Sequence, residues 1–289
     1  MKQVVRDGWR DYSIKHEGFT PFPYCDTLNL VTTGIGNLKD ASARNSFDIS
    51  AGAMAPFVAL PWKMRASGWT TKNPIAGSLA GLPAVQDAFV TCKLQEKKVP
   101  GFNKLSGFKY ASLTNITLDM NDIKNLFDGQ TNANDRAYQK AYPTYENMPA
   151  DAQFAMMSMG WAMGTAFYPV LGFDKFKAAA DQEDYLTMAR EGQFRGGGSV
   201  SDPNSRNFGI KLMFENAAAV KKAGADRNVL YFPGASPTAF DIIPLTGPSG
   251  SISGLLANPM LRTGAEVAAV GAGATALAWG FLEWRKSKR

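Results

Sequence analysis

The sequence predicts an α+β fold, in which a helix and a β-hairpin are followed by a run of helices. Three observations carry this prediction. Residues 3–16 place apolar side chains on one side of a helical repeat, and residues 24–33 alternate loosely and are rich in Tyr, Leu, Val and Thr. From residue 117 onward the apolar positions follow helical spacing again. One helix, one hairpin and then a run of helices is typical of the α+β class.

The first helix is predicted to end at Glu17. Gly18 follows immediately, and glycine just past the last periodic residue is a helix-termination signal. Pro21 and Pro23 then prevent the helix from resuming. Glu17 is therefore expected at the end of a helix, directly before the hairpin.

Two acids and a hydroxyl lie at short spacing around the hairpin. Asp26 follows Glu17 after eight intervening residues, and Thr32 follows after five more. With Asn29 as the turn candidate, Asp26 would lie on the first strand and Thr32 on the returning strand. An acid that stays protonated, paired with one that stays ionised, suits cleavage of a glycosidic bond.

This stretch resembles the phage-type lysozymes, which are endolysin-like muramidases. Their signature is Glu, eight residues, Asp or Cys, five residues, Thr, and this chain matches it with Glu17, Asp26 and Thr32. Tyr24 and the glycines of Thr33-Gly34-Ile35-Gly36 also follow the pattern, whereas Asn37 stands where the family often has His. The resemblance covers about residues 2–37 and 115–220.

The resemblance implies a lysozyme-like fold, with a small β-hairpin lobe and a larger helical lobe. It also implies hydrolysis of the β-1,4 bond between N-acetylmuramic acid and N-acetylglucosamine. Glu17 would be the general acid, Asp26 the base or electrostatic partner, and Thr32 would help to hold the attacking water. Peptidoglycan is the implied partner, with no cofactor and no metal. Three further residues are candidates for substrate binding, namely Tyr24, Gly34 and Arg206.

Composition and charge argue against nucleic-acid binding and against a multi-histidine metal site. The chain has 289 residues, a net charge of +6 and a pI of about 9.2, and its basic residues form no stripe that would indicate nucleic-acid binding. A positive balance suits an anionic cell wall, although simple solubility explains it equally well. One histidine excludes a multi-histidine metal site. Cys25 and Cys92 could exchange disulfides beside Asp26 or be two unrelated free thiols.

Residues 38–113 are interpreted as an insertion relative to the family, with short helices near 49–66 and 83–96. The insertion could shape the sugar-binding cleft, dock onto a larger assembly or be a surface elaboration.

The rest of the domain is predicted to be helical. Residues 117–141 form a helix with Thr117 as its N-cap, and residues 148–164 form a helix that is apolar nearly all round and therefore buried. Another helix begins near residue 171, with Leu186 among its apolar positions. The closing helix follows Arg206.

The chain is divided by composition. Residues 1–232 form the lysozyme-like catalytic domain, residues 233–263 a linker or extended arm rich in Pro, Gly and Ser, and residues 264–289 a transmembrane or assembly helix with a basic tail. The charge-free stretch 267–282 would span about 24 Å as a helix, against about 30 Å of hydrocarbon. A cytoplasmic basic tail would place the catalytic domain on the peptidoglycan side. Charges near the start of the chain argue against a signal peptide.

Three alternatives stay open at this level. The chain could be a structural or genome-ejection protein of a virion, with a lysozyme-like fold and little activity. It could be a lytic transglycosylase, for which the second acid is not needed. It could also be a membrane-tethered bacterial enzyme that remodels the cell wall. The expected location is therefore a membrane, with the catalytic domain facing peptidoglycan, or a phage virion.

Overall fold

The computed structural model describes residues 1–43, 45–102, 107–165 and 172–233, and it confirms the predicted α+β class. These residues form two compact units. Residues 14–130 contain both β-sheets and are called the sheet unit below; residues 1–13 and 131–233 are called the helical unit. The predicted C-terminal helix (264–289) and the arm (233–263), apart from Pro233, lie outside the described residues. No helix in the described ranges is long and apolar enough to cross a membrane.

The principal elements follow one another along the chain in this order: α1 Gln3–Glu17, β1 Thr20–Cys25, β2 Val31–Gly34, β3 Asn37–Leu38, α2 Ala51–Val58, β4 Lys63–Arg65, β5 Ala76–Leu79, α3 Leu82–Lys98, β6 Ile116–Thr117, α4 Met120–Ala141, α5 Ala150–Met163, α6 Asp174–Asp181, α7 Tyr185–Glu191 and α8 Arg206–Ala223. Short 3₁₀ helices, at Gly107–Ser112 and Tyr145–Asn147, precede β6 and α5.

The predicted hairpin belongs to an antiparallel sheet with the strand order β1-β2-β3. The first strand begins at Thr20, earlier than the sequence pattern indicated, and it includes Pro21 and Pro23. Its pairing with β2 is irregular between Thr20 and Tyr24. Proline is tolerated there because β1 is an edge strand and a missing amide donor costs least at an edge.

The second sheet has the order β5-β4-β6 and joins the insertion to the segment that follows it. Lys63 of β4 pairs with Thr117 of β6, so the prediction that Thr117 caps a helix is wrong. The helix begins three residues later, and Asp119 takes the capping role by accepting a 2.8 Å hydrogen bond from the amide of Asp122. A long-range strand pairing has displaced the local capping signal.

The helical unit is centred on α5, whose residues 150–162 are all buried, as predicted. Tyr138 crosses this helix closely and donates a 2.6 Å hydrogen bond to the carbonyl of Met156. The single helix predicted after residue 171 is instead two short helices, α6 and α7. They are separated by a turn in which Glu183 has a φ of 52°. Leu186 is 54% exposed and therefore does not belong to the core face assigned to it.

Asp151, in the first turn of α5, is a fully buried carboxylate that holds the end of the described chain. It accepts hydrogen bonds of 2.9 Å from the amides of Tyr231 and Phe232 and one of 3.0 Å from Asn216. Burial raises the pKa of Asp151 from 3.8 to about 6, in spite of these three donors, which lower it.

This raised pKa predicts that Asp151 makes the protein less stable as the pH rises. Between pH 4 and 6 the folded state holds a proton that the unfolded state has lost, so the free energy of unfolding falls with increasing pH. The expected loss is about 3 kcal/mol over that interval. Chemical denaturation at several pH values, compared between wild type and Asp151→Asn, measures it.

The slope should be smaller in Asp151→Asn than in the wild type. Asp184→Asn is a control for which the pH dependence of stability should change in the opposite direction. Hydrogen bonds from Thr187 lower the pKa of Asp184, so this carboxylate makes the folded state more stable as the pH rises. Identical slopes for Asp151→Asn and the wild type would contradict the prediction.

Candidate functional site

Glu17 is the last residue of α1, as the sequence predicted, and its side chain is only 7% exposed. Gly18 ends the helix with a φ of 76°, and its amide donates a 2.9 Å hydrogen bond to the carbonyl of Ile14. A left-handed residue at this position suits glycine, which lacks a Cβ that would clash. The helix end therefore fixes the backbone from which the Glu17 carboxyl group projects.

The turn after β2 packs directly on Glu17. Gly34 and Gly36 have φ values of 68° and 67°. A Cβ added to Gly36 would lie 2.9 Å from Oε2 of Glu17 and 3.2 Å from its Cβ and Cγ. The backbone at Gly36 therefore runs close to the candidate general acid.

Asn37 completes this turn at the position where phage-type lysozymes often have His. Its Oδ1 accepts a 3.2 Å hydrogen bond from the amide of Ile35, and a Cβ on Gly34 would lie 2.9 Å from the same oxygen. The amide side chain therefore has a supporting role: it holds the turn that covers Glu17.

Asp26 lies just beyond the end of β1, in the hairpin turn, so its predicted place on the strand is wrong by one residue. Its side chain is 2% exposed, and Oδ1 accepts hydrogen bonds from the amides of Leu28 (2.8 Å) and Leu30 (3.0 Å). Asn29 occupies the turn with a φ of 59°, as its selection as the turn residue predicted. The turn thus orients the carboxylate by its own amide groups.

Thr32 and Tyr24 face each other as a cross-strand pair of β1 and β2. Thr32 is buried and its hydroxyl donates a 3.2 Å hydrogen bond to the carbonyl of Leu30. Burial first, then the charge of Glu17 and then that of Asp26, raise the pKa of the Tyr24 phenol. The strand pairing thus places the predicted tyrosine beside the predicted threonine, two residues before Asp26.

The insertion contributes a buried ion pair that the motif did not indicate. Lys93 of α3 and Asp40 are both buried, with 2.9 Å between Nζ and Oδ2. A sequence signal existed, because Lys93 lies one helical turn beyond Phe89, on the face that also buries Val85 and Cys92. A lone lysine on an apolar stripe indicates a buried cation that needs partners.

Cys25 and Cys92 both lie in the described part of the chain as buried free thiols. Burial raises the pKa of each, and for Cys25 the neighbouring Cys92 adds to the effect. Because the thiolate is the reactive form, we expect thiol exchange at these positions to be slow. Of the two alternatives considered for this pair, this favours two unreactive thiols.

Arg206 is the first residue of α8, which Ser205 caps by accepting a 3.0 Å hydrogen bond from the amide of Phe208. It belongs to the helical unit, whereas the other predicted site residues all belong to the sheet unit. Its assignment to substrate binding stays a prediction. Within the described ranges no group of three or more His, Cys, Asp or Glu side chains is arranged to hold a metal ion.

Comparisons of this chain with protein-family profiles, with curated proteins and with solved structures found no match.

Proposed function

We propose that this chain is a peptidoglycan hydrolase of the muramidase type, with a lysozyme-like fold, that cleaves the β-1,4 bond between N-acetylmuramic acid and N-acetylglucosamine. The observation that carries the proposal is that one hairpin brings the three residues together. The Gly36 turn after β2 packs against Glu17, Thr32 lies on β2, and Asp26 lies in the turn before β2. The spacing of these residues in the sequence supports the same assignment independently.

The two acids have different surroundings, as their proposed roles require. Two amide hydrogen bonds fix Oδ1 of Asp26 within its own turn, and we assign this oriented carboxylate the role of general base. Glu17 is instead packed against the Gly36 backbone at the end of a helix, and we assign it the role of proton donor.

In the proposed reaction a water oxygen attacks the anomeric carbon of the muramic acid residue while Asp26 accepts the water's proton. The bond from that carbon to the leaving oxygen breaks, and Glu17 gives its proton to the leaving oxygen. Thr32 already donates to the Leu30 carbonyl, which directs the oxygen lone pairs of its hydroxyl to accept a hydrogen bond from the water.

Product analysis tests this proposal. The purified full-length chain is incubated with peptidoglycan sacculi in ¹⁸O-labelled water. The masses of the released muropeptides are then measured by mass spectrometry. We expect reducing-end products that each contain one ¹⁸O atom from the solvent. Anhydro-muramic products would instead identify a lytic transglycosylase, and the absence of soluble muropeptides would support a virion protein with little activity.

We infer that the enzyme acts at a membrane facing peptidoglycan or within a phage virion. This inference comes from the sequence of residues 264–289 and of the arm at 233–263. The partners proposed on this basis are peptidoglycan, a membrane bound through the C-terminal helix, and virion proteins.

A further inference from the structure

We propose that Lys93, on helix α3 of the insertion, is a positioning residue for Asp26. This inference rests on the proposed function, in which Asp26 is the base. It gives the insertion a role in the active site. Helix α3 and the loop before α2 bind the backbone of the hairpin turn, and amide groups of the same turn orient the Asp26 carboxylate.

The ammonium group of Lys93 is surrounded by oxygen atoms. It donates to the carbonyl of Asn29 at 2.7 Å, to Oδ2 of Asp40 at 2.9 Å, to the carbonyl of Ser46 at 3.1 Å and to the hydroxyl of Ser42 at 3.2 Å. An ammonium group has three protons, so these four acceptors satisfy it completely. The site is built for a compact cation, since the Lys93 side chain has no solvent-exposed surface.

The same network holds the Asp26 turn through its backbone. Lys93 donates a hydrogen bond to the carbonyl of Asn29, and Asp40 accepts a 3.1 Å hydrogen bond from the amide of Val31. A third link runs from the amide of Asn45 to the carbonyl of Leu28, at 2.8 Å. The insertion therefore holds the backbone of the turn at three residues, Leu28, Asn29 and Val31.

Amide groups of the turn donate hydrogen bonds to the Asp26 side chain. The amides of Leu28 and Leu30 donate to Oδ1 of Asp26, and these residues flank Asn29, the left-handed residue that Lys93 holds. Removing the ammonium group would leave Asp40 as a buried charge without its cation, and water or a rearranged turn would have to replace it. The two amides would then no longer fix the carboxylate.

The test compares the wild type with Lys93→Met, which keeps the length of the side chain and removes its charge. Amide hydrogen exchange of Leu28 and Leu30 is measured by NMR at a temperature where both proteins are fully folded. We expect exchange to accelerate about tenfold or more in the variant. In the peptidoglycan assay, kcat should fall about tenfold or more with KM within about twofold, because a small misplacement of a catalytic group affects the reaction more than binding.

Two further variants separate positioning from general destabilisation. Phe89→Leu on the same helix removes packing against the Phe57 ring, and it should leave the exchange of Leu28 and Leu30 and kcat unchanged under folded conditions. Asp40→Asn keeps the side-chain volume but removes the negative charge that pairs with Lys93. It should accelerate the same amides and provides the test if Lys93→Met does not fold.

Unchanged exchange at Leu28 and Leu30 in folded Lys93→Met, or in Asp40→Asn, would overturn the positioning role. If the wild type releases no muropeptides, the proposed function has failed, and the exchange measurement still decides whether Lys93 holds the Asp26 turn.

Discussion

Glu17→Gln is expected to lower the rate of peptidoglycan hydrolysis about 1,000-fold, equivalent to about 4 kcal/mol in the activation free energy. Glutamine has nearly the same volume and fits the space beside Gly36, but it has no proton to give to the leaving oxygen. The measurement is the initial rate of muropeptide release by the purified full-length chain.

A loss of activity identifies Glu17 as the proton donor only if the variant is folded. Thermal unfolding should show a transition close to that of the wild type, because glutamine fills the same space beside Gly36. Glu146→Gln, which neutralises an exposed carboxylate in the helical unit, is the matched control and should keep full activity. Equal rates of hydrolysis by Glu17→Gln and the wild type would end the assignment of Glu17 as the acid.

Gly36→Ala is expected to lower kcat about 100-fold while the protein remains folded. The new methyl group would lie 2.9 Å from Oε2 of Glu17, closer than real Cβ contacts permit, so the carboxyl group must move. A displacement of about 1 Å at a reacting group costs about 100-fold in rate. The φ of 67° adds about 1–2 kcal/mol of strain to the folded state.

Gly101→Ala separates the two effects. Gly101 also has a positive φ, of 85°, but among the described residues, its chain neighbours aside, no heavy atom lies within 4 Å of a Cβ added there. This control should lose a similar amount of stability and keep its kcat, as measured by denaturant unfolding and the peptidoglycan assay. If Gly36→Ala and Gly101→Ala have the same kcat, the contact between the Gly36 turn and Glu17 has no part in catalysis.

The candidate site could be predicted from the sequence to the extent that its geometry is local. Gly18 after Glu17 marked the end of a helix, and Asn29 marked the hairpin turn, because a residue with positive φ is needed at each place. The spacing from Asp26 to Thr32 then followed from the length of that turn. Asp26 itself was misplaced by one residue, since strand ends depend on hydrogen-bond pairing that propensity does not specify.

The insertion was predicted less well because its structure depends on pairing between distant residues. Thr117 looks like a helix cap in its own neighbourhood, but it pairs with Lys63 in the second sheet. The position of Lys93 on the apolar face of its helix indicates a buried cation, but it does not identify the four oxygen atoms that Lys93 binds. These come from the hairpin turn and from the loop before α2.

The sequence by itself determined the α+β class, the bounds of the long helices to within a few residues, and the presence of two acids and a threonine around one hairpin. These follow from side-chain periodicity and turn chemistry, which act over a few residues. Only the tertiary structure decided that Gly36 packs on Glu17 and that the insertion holds the Asp26 turn through a buried cation. Those contacts join segments distant in the chain, and burial and hydrogen-bond satisfaction select them only once the whole unit has folded.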